Sequence, residues 1–485
     1  MGFVHKRPAV FAVLAVLASA GLFLLGNGIN PSWPLMWIAP IPILLLAAFT
    51  PSWHVAAAGA ALSMLLGALE MLYYLHWALR LPVIAWLIPY TIISLLFAAG
   101  VLMFRAFLHR GAAIRAVIVL PAFWTVCEYV ASFVPANGTA GSLAYTQERF
   151  LPMLQVASLT GPWGISFLLL LFPSAVTAGL YLRRTSPRSA LLTVGLATGV
   201  VAAAIVFGAI RLSVPTSGET IKVGLLDTDK VEFAADPPKM QELIESYASH
   251  AEMLARQGAK IVLMPEKTGL LLGPDTPRAD AILQSVANRT GATLIIGVQH
   301  VVATRSFNQA RIYTPNQPVA TYDKQHMLPP FESDLTPGGS LTILPKSNGS
   351  IGVAICKDMD FIHPALDYAR AGIALLLDPA WDFNIDRAWH GHIAIMRGVE
   401  GGYAIAHAAK DGFLTVTDNR GRILGEVTTG GEPFTSLLVD VPLRHDQTVF
   451  DRYGTWFPWL AGLLVLACNA NRNFHIAGGA DTIAE

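Results

Sequence analysis

The chain is 485 residues long, which leaves room for two or three domains. Hydrophobic residues make up 53% of it and charged residues only 14%, well below the roughly 25% of soluble domains. The net charge of zero points away from a nucleic-acid partner, and of three cysteines two (Cys127 and Cys468) lie in apolar segments, which excludes a disulfide framework or a cysteine-rich metal site.

At the N-terminus His5, Lys6 and Arg7 precede an apolar run, the pattern of a signal peptide. Further apolar segments follow, so the run reads as a first span that is kept. Spans are expected near residues 9–26, 34–50, 54–75, 82–104, 114–134, 161–182, 190–211 and 454–470, each about the 17–25 residues that cross a hydrocarbon core. The last is the shortest, and its Trp456 and Trp459 suit an interfacial anchor. The expected architecture is a membrane bundle of about eight helices: seven within residues 1–213, and one within 450–485 together with a cytoplasmic tail.

Basic residues set the orientation. Lys6 and Arg7, then Arg105, Arg110 and Arg115, then Arg183, Arg184 and Arg188, and finally Arg472 all fall on one side of such a bundle. By the positive-inside rule that side is the cytoplasm. Residues 212–453 then face outward, which in a two-membrane bacterium means an inner-membrane protein with its large domain in the periplasm. Glu70 and Glu128 fall inside apolar spans, where a carboxylate faces the bundle interior or a cavity. The polar, glycine-containing loop over 134–164 reads equally as a lateral entrance for lipid or as an ordinary connection.

From Glu219 the composition becomes that of an α/β domain. Strands are expected over 221–226, 261–264, 292–298, 311–313, 320–322, 351–355, 374–377, 403–407, 413–417 and 436–441. Helices are expected over 238–257, 279–288, 363–371 and 387–400. Alternating strands and helices, with some consecutive strands, imply two sheets covered by helices, within residues 219–443.

Three stretches of this domain carry chemistry. Ile261-Val-Leu-Met-Pro-Glu266 ends a strand in a carboxylate. Tyr322-Asp-Lys324 ends one in an ammonium. Ile351-Gly-Val-Ala-Ile-Cys-Lys-Asp358 ends one in a thiol. Open α/β sheets place their chemistry at such strand ends. Taken alone, Cys356 reads equally as a buried core cysteine. Together the three side chains form a workable acyl-transfer set. A free thiol is only a few per cent thiolate at neutral pH, so a carboxylate is needed to take its proton. The ammonium offsets the repulsion between carboxylate and thiolate and stabilises the oxyanion of a tetrahedral intermediate.

Pro265-Glu266, Tyr322-Asp-Lys324 and Ile355-Cys356, in that order and spacing, resemble the nitrilase (carbon–nitrogen hydrolase) superfamily. The resemblance implies an αββα sandwich and a triad of Glu266, Lys324 and Cys356. With spans on both sides of the domain, the whole chain resembles the apolipoprotein N-acyltransferase family, as do Leu154-Gln-Val-Ala-Ser-Leu-Thr-Gly-Pro-Trp-Gly-Ile-Ser-Phe167 and Tyr453-Gly-Thr-Trp-Phe457. That resemblance implies a phospholipid acyl donor, a thioester on Cys356, and a diacylglyceryl lipoprotein whose α-amino group accepts the chain. It implies no metal and no organic cofactor. Glu332, eight residues beyond Lys324, matches a glutamate that the family places beside its lysine, although here it follows Pro329-Pro-Phe.

The chain also departs from the family. Cys-Lys-Asp stands where Cys-Tyr-Glu is usual, so Asp358 keeps a charge on a shorter arm and Lys357 replaces an aromatic residue. The loop after the first strand of the domain lacks a tryptophan, a Phe-Pro-Trp element is missing near Asn137, and the stretch from His407 to Gly412 lacks an asparagine. These departures bear on the acceptor. They leave open a different acceptor, transfer to water by a membrane-tethered amidase, or a non-catalytic lipoprotein-binding protein. His390 and His392 lie two apart on an expected helix and do not share a face. His326 reads as a packing residue, and residues 331–341 as a lid over the acyl chain or a plain loop.

Overall fold

The computed structural model describes residues 7–470 except 217, 229, 232, 347–348 and 431–433. Lys6, Arg472 and the expected tail lie outside the described residues. Among the described residues five helices are long and apolar enough to cross a membrane: α1 (Pro8–Gly26), α4 (Val83–His109), α5 (Ala113–Ala131), α6 (Pro162–Leu182) and α7 (Pro187–Ser213). A sixth span exists if α3 (Trp53–Gly67) and the helical segment Leu69–Ala78, bent 52° from it, count as one. The expected count of about eight membrane helices is thus not confirmed among the described residues, which hold five or six candidates. The segment Trp33–Phe49 is a shorter apolar helix, broken before α2 (Ile41–Phe49), where Pro40 and Pro42 interrupt the ladder of backbone hydrogen bonds. Trp456–Ala470 is likewise a shorter apolar helix among the described residues.

Two intramembrane carboxylates have structural partners. Glu128 accepts from Trp124 Nε1 at 2.9 Å, from the backbone of Leu143 at 2.8 Å and from Ser142 Oγ at 2.8 Å, and so pins the loop after α5. Glu70 accepts from the backbone of Ile29 at 3.2 Å. Arg105 is buried and donates to the carbonyls of Thr50 at 2.7 Å and Pro51 at 3.0 Å. Arg105 also donates to the carbonyl of Ala47, so a cation sits at the C-terminal end of α2 and on the residues just beyond it.

The α/β domain is a pair of stacked sheets. The first has the order β13–β1–β2–β4–β5–β6, with β3 (Leu270–Leu272) also on β4. Its members are β1 (Thr220–Asp227), β2 (Ile261–Leu263), β4 (Thr293–Val302), β5 (Arg305–Tyr313), β6 (Ala320–Asp323) and β13 (Thr435–Pro442). The second has the order β12–β11–β10–β9–β8–β7. It comprises β7 (Thr342–Leu344), β8 (Ser350–Val353), β9 (Ile373–Trp381), β10 (Ala404–Lys410), β11 (Phe413–Thr417) and β12 (Ile423–Thr428). In each sheet the central strands β1, β2 and β4, or β8, β9 and β10, run parallel.

Period-two alternation accounts for the layering. Ile261 and Leu263 point between the sheets, toward Val353, Leu375 and Ile405. Val262 and Met264 point outward, onto helices α8 (Pro237–Arg256) and α9 (Thr276–Thr290), where Leu243, Tyr247 and Leu283 cover them. Strands buried on both faces read as continuous apolar runs for this reason. Helices α10 (Ala365–Arg370) and α11 (Arg387–Gly401) cover the second sheet, completing an αββα sandwich. The domain sits on the bundle through an apolar cluster in which Ile29, Tyr74 and Leu79 pack with Phe383 and Trp389.

Candidate active site

The polar residues of the site stand where strands end. Glu266 follows β2, and its backbone N–H reaches across to the carbonyl of Ala380 on β9 at 3.3 Å. Strand β4 passes so close that a Cβ at Gly297 would lie 2.5 Å from the Glu266 Cα, so only glycine fits there. Lys324 follows β6, and its backbone N–H donates to Asn308 O at 2.8 Å. Cys356 opens a 3-10 turn, Cys356–Asp360, after β8. Its φ is +45°, in the left-handed region that residues with a side chain rarely occupy.

The structure brings Glu266, Lys324 and Glu332 together. Lys324 Nζ donates to Glu266 Oε1 at 2.7 Å and to Glu332 Oε2 at 2.9 Å, and all three residues are at most 2% exposed. Glu332 also accepts from Leu328 N at 2.9 Å and pairs with Lys267 at 3.3 Å. The Cys356 thiol is within the electrostatic reach of both Glu266 and Lys324, and the residue as a whole is half-buried. Its Sγ faces the Trp381 carbonyl at 4.0 Å.

Asp358 is fully buried and does not point at open space. It accepts from Tyr322 Oη at 2.8 Å and from the backbone N–H groups of Gln325 at 3.1 Å, His326 at 2.8 Å and Ile355 at 3.1 Å. One carboxylate therefore ties the segment after Lys324 to the turn that carries the thiol. His326 stacks on Phe361 at 3.8 Å. Lys357 is buried and paired with Asp360 at 2.8 Å. Phe331, in the segment considered as a lid, is half exposed and lies 5.8 Å from Phe383.

Burial and the charge of Glu266 push the Cys356 thiol well above its ordinary value, and Lys324 only partly offsets them. The expected offset by the ammonium is therefore present but incomplete, and the resting group is a thiol. Burial pulls Lys324 down, but Glu266 and Glu332 outweigh it and hold the ammonium charged. Burial likewise opposes the charge on Glu332, yet Lys324 and Lys267 hold its carboxyl down at about 2. A permanent cation between two carboxylates, beside a neutral thiol, is suited to proton abstraction followed by stabilisation of an oxyanion.

Several contributors are not evident from the motifs. Asn308, fully buried on β5, donates through Nδ2 to both Glu266 Oε1 and Glu332 Oε1, the latter at 2.6 Å. The two N–H bonds of its amide let one neutral side chain serve both carboxylates. Asp378 on β9 accepts the Cys356 backbone N–H at 2.7 Å, and its other oxygen pairs with His407 Nδ1 at 2.7 Å. His390 pairs with Asp386 at 3.2 Å whereas His392 pairs with Glu148 at 2.6 Å, so the two imidazoles serve separate contacts. Among the described residues no group of three or more His, Cys, Asp or Glu side chains is arranged to hold a metal ion.

A family model described as the apolipoprotein N-acyltransferase N-terminal domain matches residues 19–175, and one described as carbon-nitrogen hydrolase matches residues 227–439. The chain is 27% identical to the apolipoprotein N-acyltransferase of Geobacter metallireducens, over 97% of this chain and 96% of that one. It is 24% identical to the apolipoprotein N-acyltransferase of Gloeobacter violaceus, again over 97% and 96%. Among solved structures, an amidase from Nesterenkonia sp. is 20% identical, with a TM-score of 0.41, covering 50% of this chain and 96% of that one.

Proposed function

Because the chain belongs to the apolipoprotein N-acyltransferase family, whose catalytic half is a carbon–nitrogen hydrolase domain, we propose that it carries an acyl chain from a membrane phospholipid, as a thioester on Cys356, to the α-amino group of a diacylglyceryl lipoprotein. The observation that carries this reading is the Glu266–Lys324–Glu332 cluster, whose Glu266 and Lys324 act electrostatically on the thiol of the half-buried Cys356.

Cys356 Sγ attacks the ester carbonyl while Glu266 takes the thiol proton. Both hydrogen bonds that Glu266 accepts from Lys324 and Asn308 fall on Oε1, which leaves Oε2 for this task. The oxyanion draws on the Lys324 ammonium, which Glu332 and Asn308 keep in place. The C–O bond breaks, the lysophospholipid oxygen takes the proton from Glu266, and the acyl chain stays on sulfur. The acceptor amine then attacks the thioester carbonyl and Glu266 takes a proton from its nitrogen; the C–S bond breaks, Glu266 returns the proton to the leaving sulfur, and the amide departs from the restored thiol.

Orientation follows the same reading. Arg110, Arg115, Arg183, Arg184 and Arg188 lie at the helix ends opposite the one from which α7 leads into β1. This supports an inner-membrane protein whose site faces the periplasm. Both substrates carry acyl chains, so a site seated on the bundle avoids extracting them from the bilayer.

The test is to incubate the purified full chain with acyl-labelled phospholipid, with and without a diacylglyceryl peptide. Label on the protein that hydroxylamine releases and Cys356→Ala abolishes is expected, and the peptide should discharge it as an amide. Label lost only to water would assign a hydrolase instead. An unlabelled wild type would count against the thioester.

A further inference from the structure

The domain holds a second cluster of buried titratable groups, behind the nucleophile rather than in front of it. Strands β9 and β10 run parallel with His407 directly beside Asp378 in the register, so both side chains leave the sheet on one face. Their Nδ1–Oδ2 distance is 2.7 Å. The remaining oxygen of Asp378 accepts the Cys356 N–H at 2.7 Å. On the far side His407 Nε2 lies 3.6 Å from Asp382 Oδ2. Asp378, His407 and Asp382 are at most 2% exposed.

The bond to Cys356 falls at the residue with the unfavourable backbone. A left-handed φ at a side-chain-bearing residue persists only where its surroundings fix it. After β8 the chain leaves the sheet, and the Cys356 N–H is not part of a strand ladder. Its acceptor is a side chain whose other oxygen is paired in turn with His407 at 2.7 Å. We infer that Asp378 and His407 are positioning residues for the nucleophile: the imidazole orients the Asp378 side chain, and Asp378 holds the Cys356 backbone in the conformation that presents its thiol to Glu266 and Lys324. This rests on the reading of Cys356 as the acyl carrier.

Electrostatics fit such a role. Burial lowers His407, but Asp378 and Asp382 outweigh it and hold the imidazole up at about 10, so it is cationic at neutral pH. Burial pushes Asp378 up to about 6 against the opposing pull of His407. Asp378 is also faced by Glu266 after β2, Tyr322 on β6 and Tyr403 before β10. Above its titration Asp378 accepts from both Cys356 and His407. Once protonated it has a hydrogen on one oxygen while His407 remains a donor, and one of the two bonds must weaken.

The experiment is single-turnover acylation by labelled phospholipid in the full chain between pH 5 and 8. Wild type is compared with Asp378→Asn, which keeps an acceptor for the Cys356 N–H and lets its amide donate to a neutral His407, and with Asp378→Ala, which keeps neither. Expected is an acid limb near pH 6 in wild type that disappears in Asp378→Asn, with a rate at pH 7.5 within about threefold of wild type. Asp378→Ala should lose about thirtyfold or more in rate with little change in the lipid concentration at half-saturation, since Asp378 does not touch substrate. Should Asp378→Ala not fold, the pH profile of Asp378→Asn decides alone. An acid limb unchanged in Asp378→Asn overturns the inference while leaving the thioester intact. A wild type that takes no label overturns both.

Discussion

Tyr322, on β6 of one sheet, donates its hydroxyl at 2.8 Å to Asp358, in the turn that follows β8 of the other sheet. Tyr322 sits two residues before Lys324 and Asp358 two residues after Cys356. The bond therefore sets the spacing between the ammonium and the thiol. Asp358→Ala would strand the N–H groups of Gln325, His326 and Ile355 as well as the tyrosine. A buried donor without a partner costs about 1–3 kcal/mol, and these losses are not additive. The expected outcome is a loss of about 3 kcal/mol in domain stability by denaturant titration, with acyl-enzyme formation down about a hundredfold. Asp358→Asn, which still accepts from part of the set, should fall in between.

Glu332 links stability to acid pH. Its folded value of about 2 is below that of an unfolded glutamate, so its contribution is fully present above the unfolded value and is lost as pH falls through the folded one. The affected window runs from about pH 5 down to about 2. Glu332→Gln should flatten the decline of stability across that window, as seen in unfolding midpoints taken at half-unit steps of pH. At neutral pH the same variant should lower acylation by about tenfold or more, because Lys324 then has one carboxylate instead of two.

The strand-end positions of Glu266, Lys324 and Cys356 are legible in the sequence because the signal is local: an apolar run stops and a polar side chain follows. Asn308 is not legible. The apolar pattern suggests a strand only over 311–313, whereas β5 begins at Arg305. Residues 305–309 are mostly polar and are held by pairing with β4 rather than by their own propensity. Asp378 and His407 are invisible for a different reason. Twenty-nine residues separate them, and only the parallel register makes them neighbours. In the bundle, hydropathy locates the apolar segments but not the break before α2 or the bend beyond α3, since composition averaged over a window hides where the hydrogen-bond ladder stops.

Asn308 offers a test of the carboxylate cluster that leaves its three charged members in place. Asn308→Asp replaces a donor shared by Glu266 and Glu332 with a third carboxylate between them. Like charges at that distance cannot all ionise, so one takes up a proton near neutral pH. Acyl-enzyme formation should fall by about a hundredfold or more at pH 7. Asn308→Ala, which removes the bridge without adding charge, should retain more activity than Asn308→Asp. Equal activity in the two variants would show that charge at residue 308 is immaterial.

The bundle reaches the site through Tyr74. Its hydroxyl donates to Asp386, just before α11, from the one turn of π-helix, Tyr74–Ala78, beyond the 52° bend. Asp386 also accepts from Phe383 N at 2.8 Å and pairs with His390, which lies 3.7 Å from Asp360 at the end of the nucleophile turn. Burial opposes ionisation of Asp386, but His390 and then Tyr74 hold its carboxyl below the usual range. Tyr74→Phe removes one donor and keeps the ring that packs on Trp389 at 6.2 Å, so the apolar contact between bundle and domain survives. The expected loss is about 1–3 kcal/mol at the Asp386 contact, read as a severalfold lower rate of acylation from phospholipid. Alkylation of Cys356 by iodoacetamide, a small soluble reagent that does not enter through the bundle, should be nearly unchanged. Parallel losses in both assays would place the effect of Tyr74 on the nucleophile turn itself rather than on delivery of the lipid.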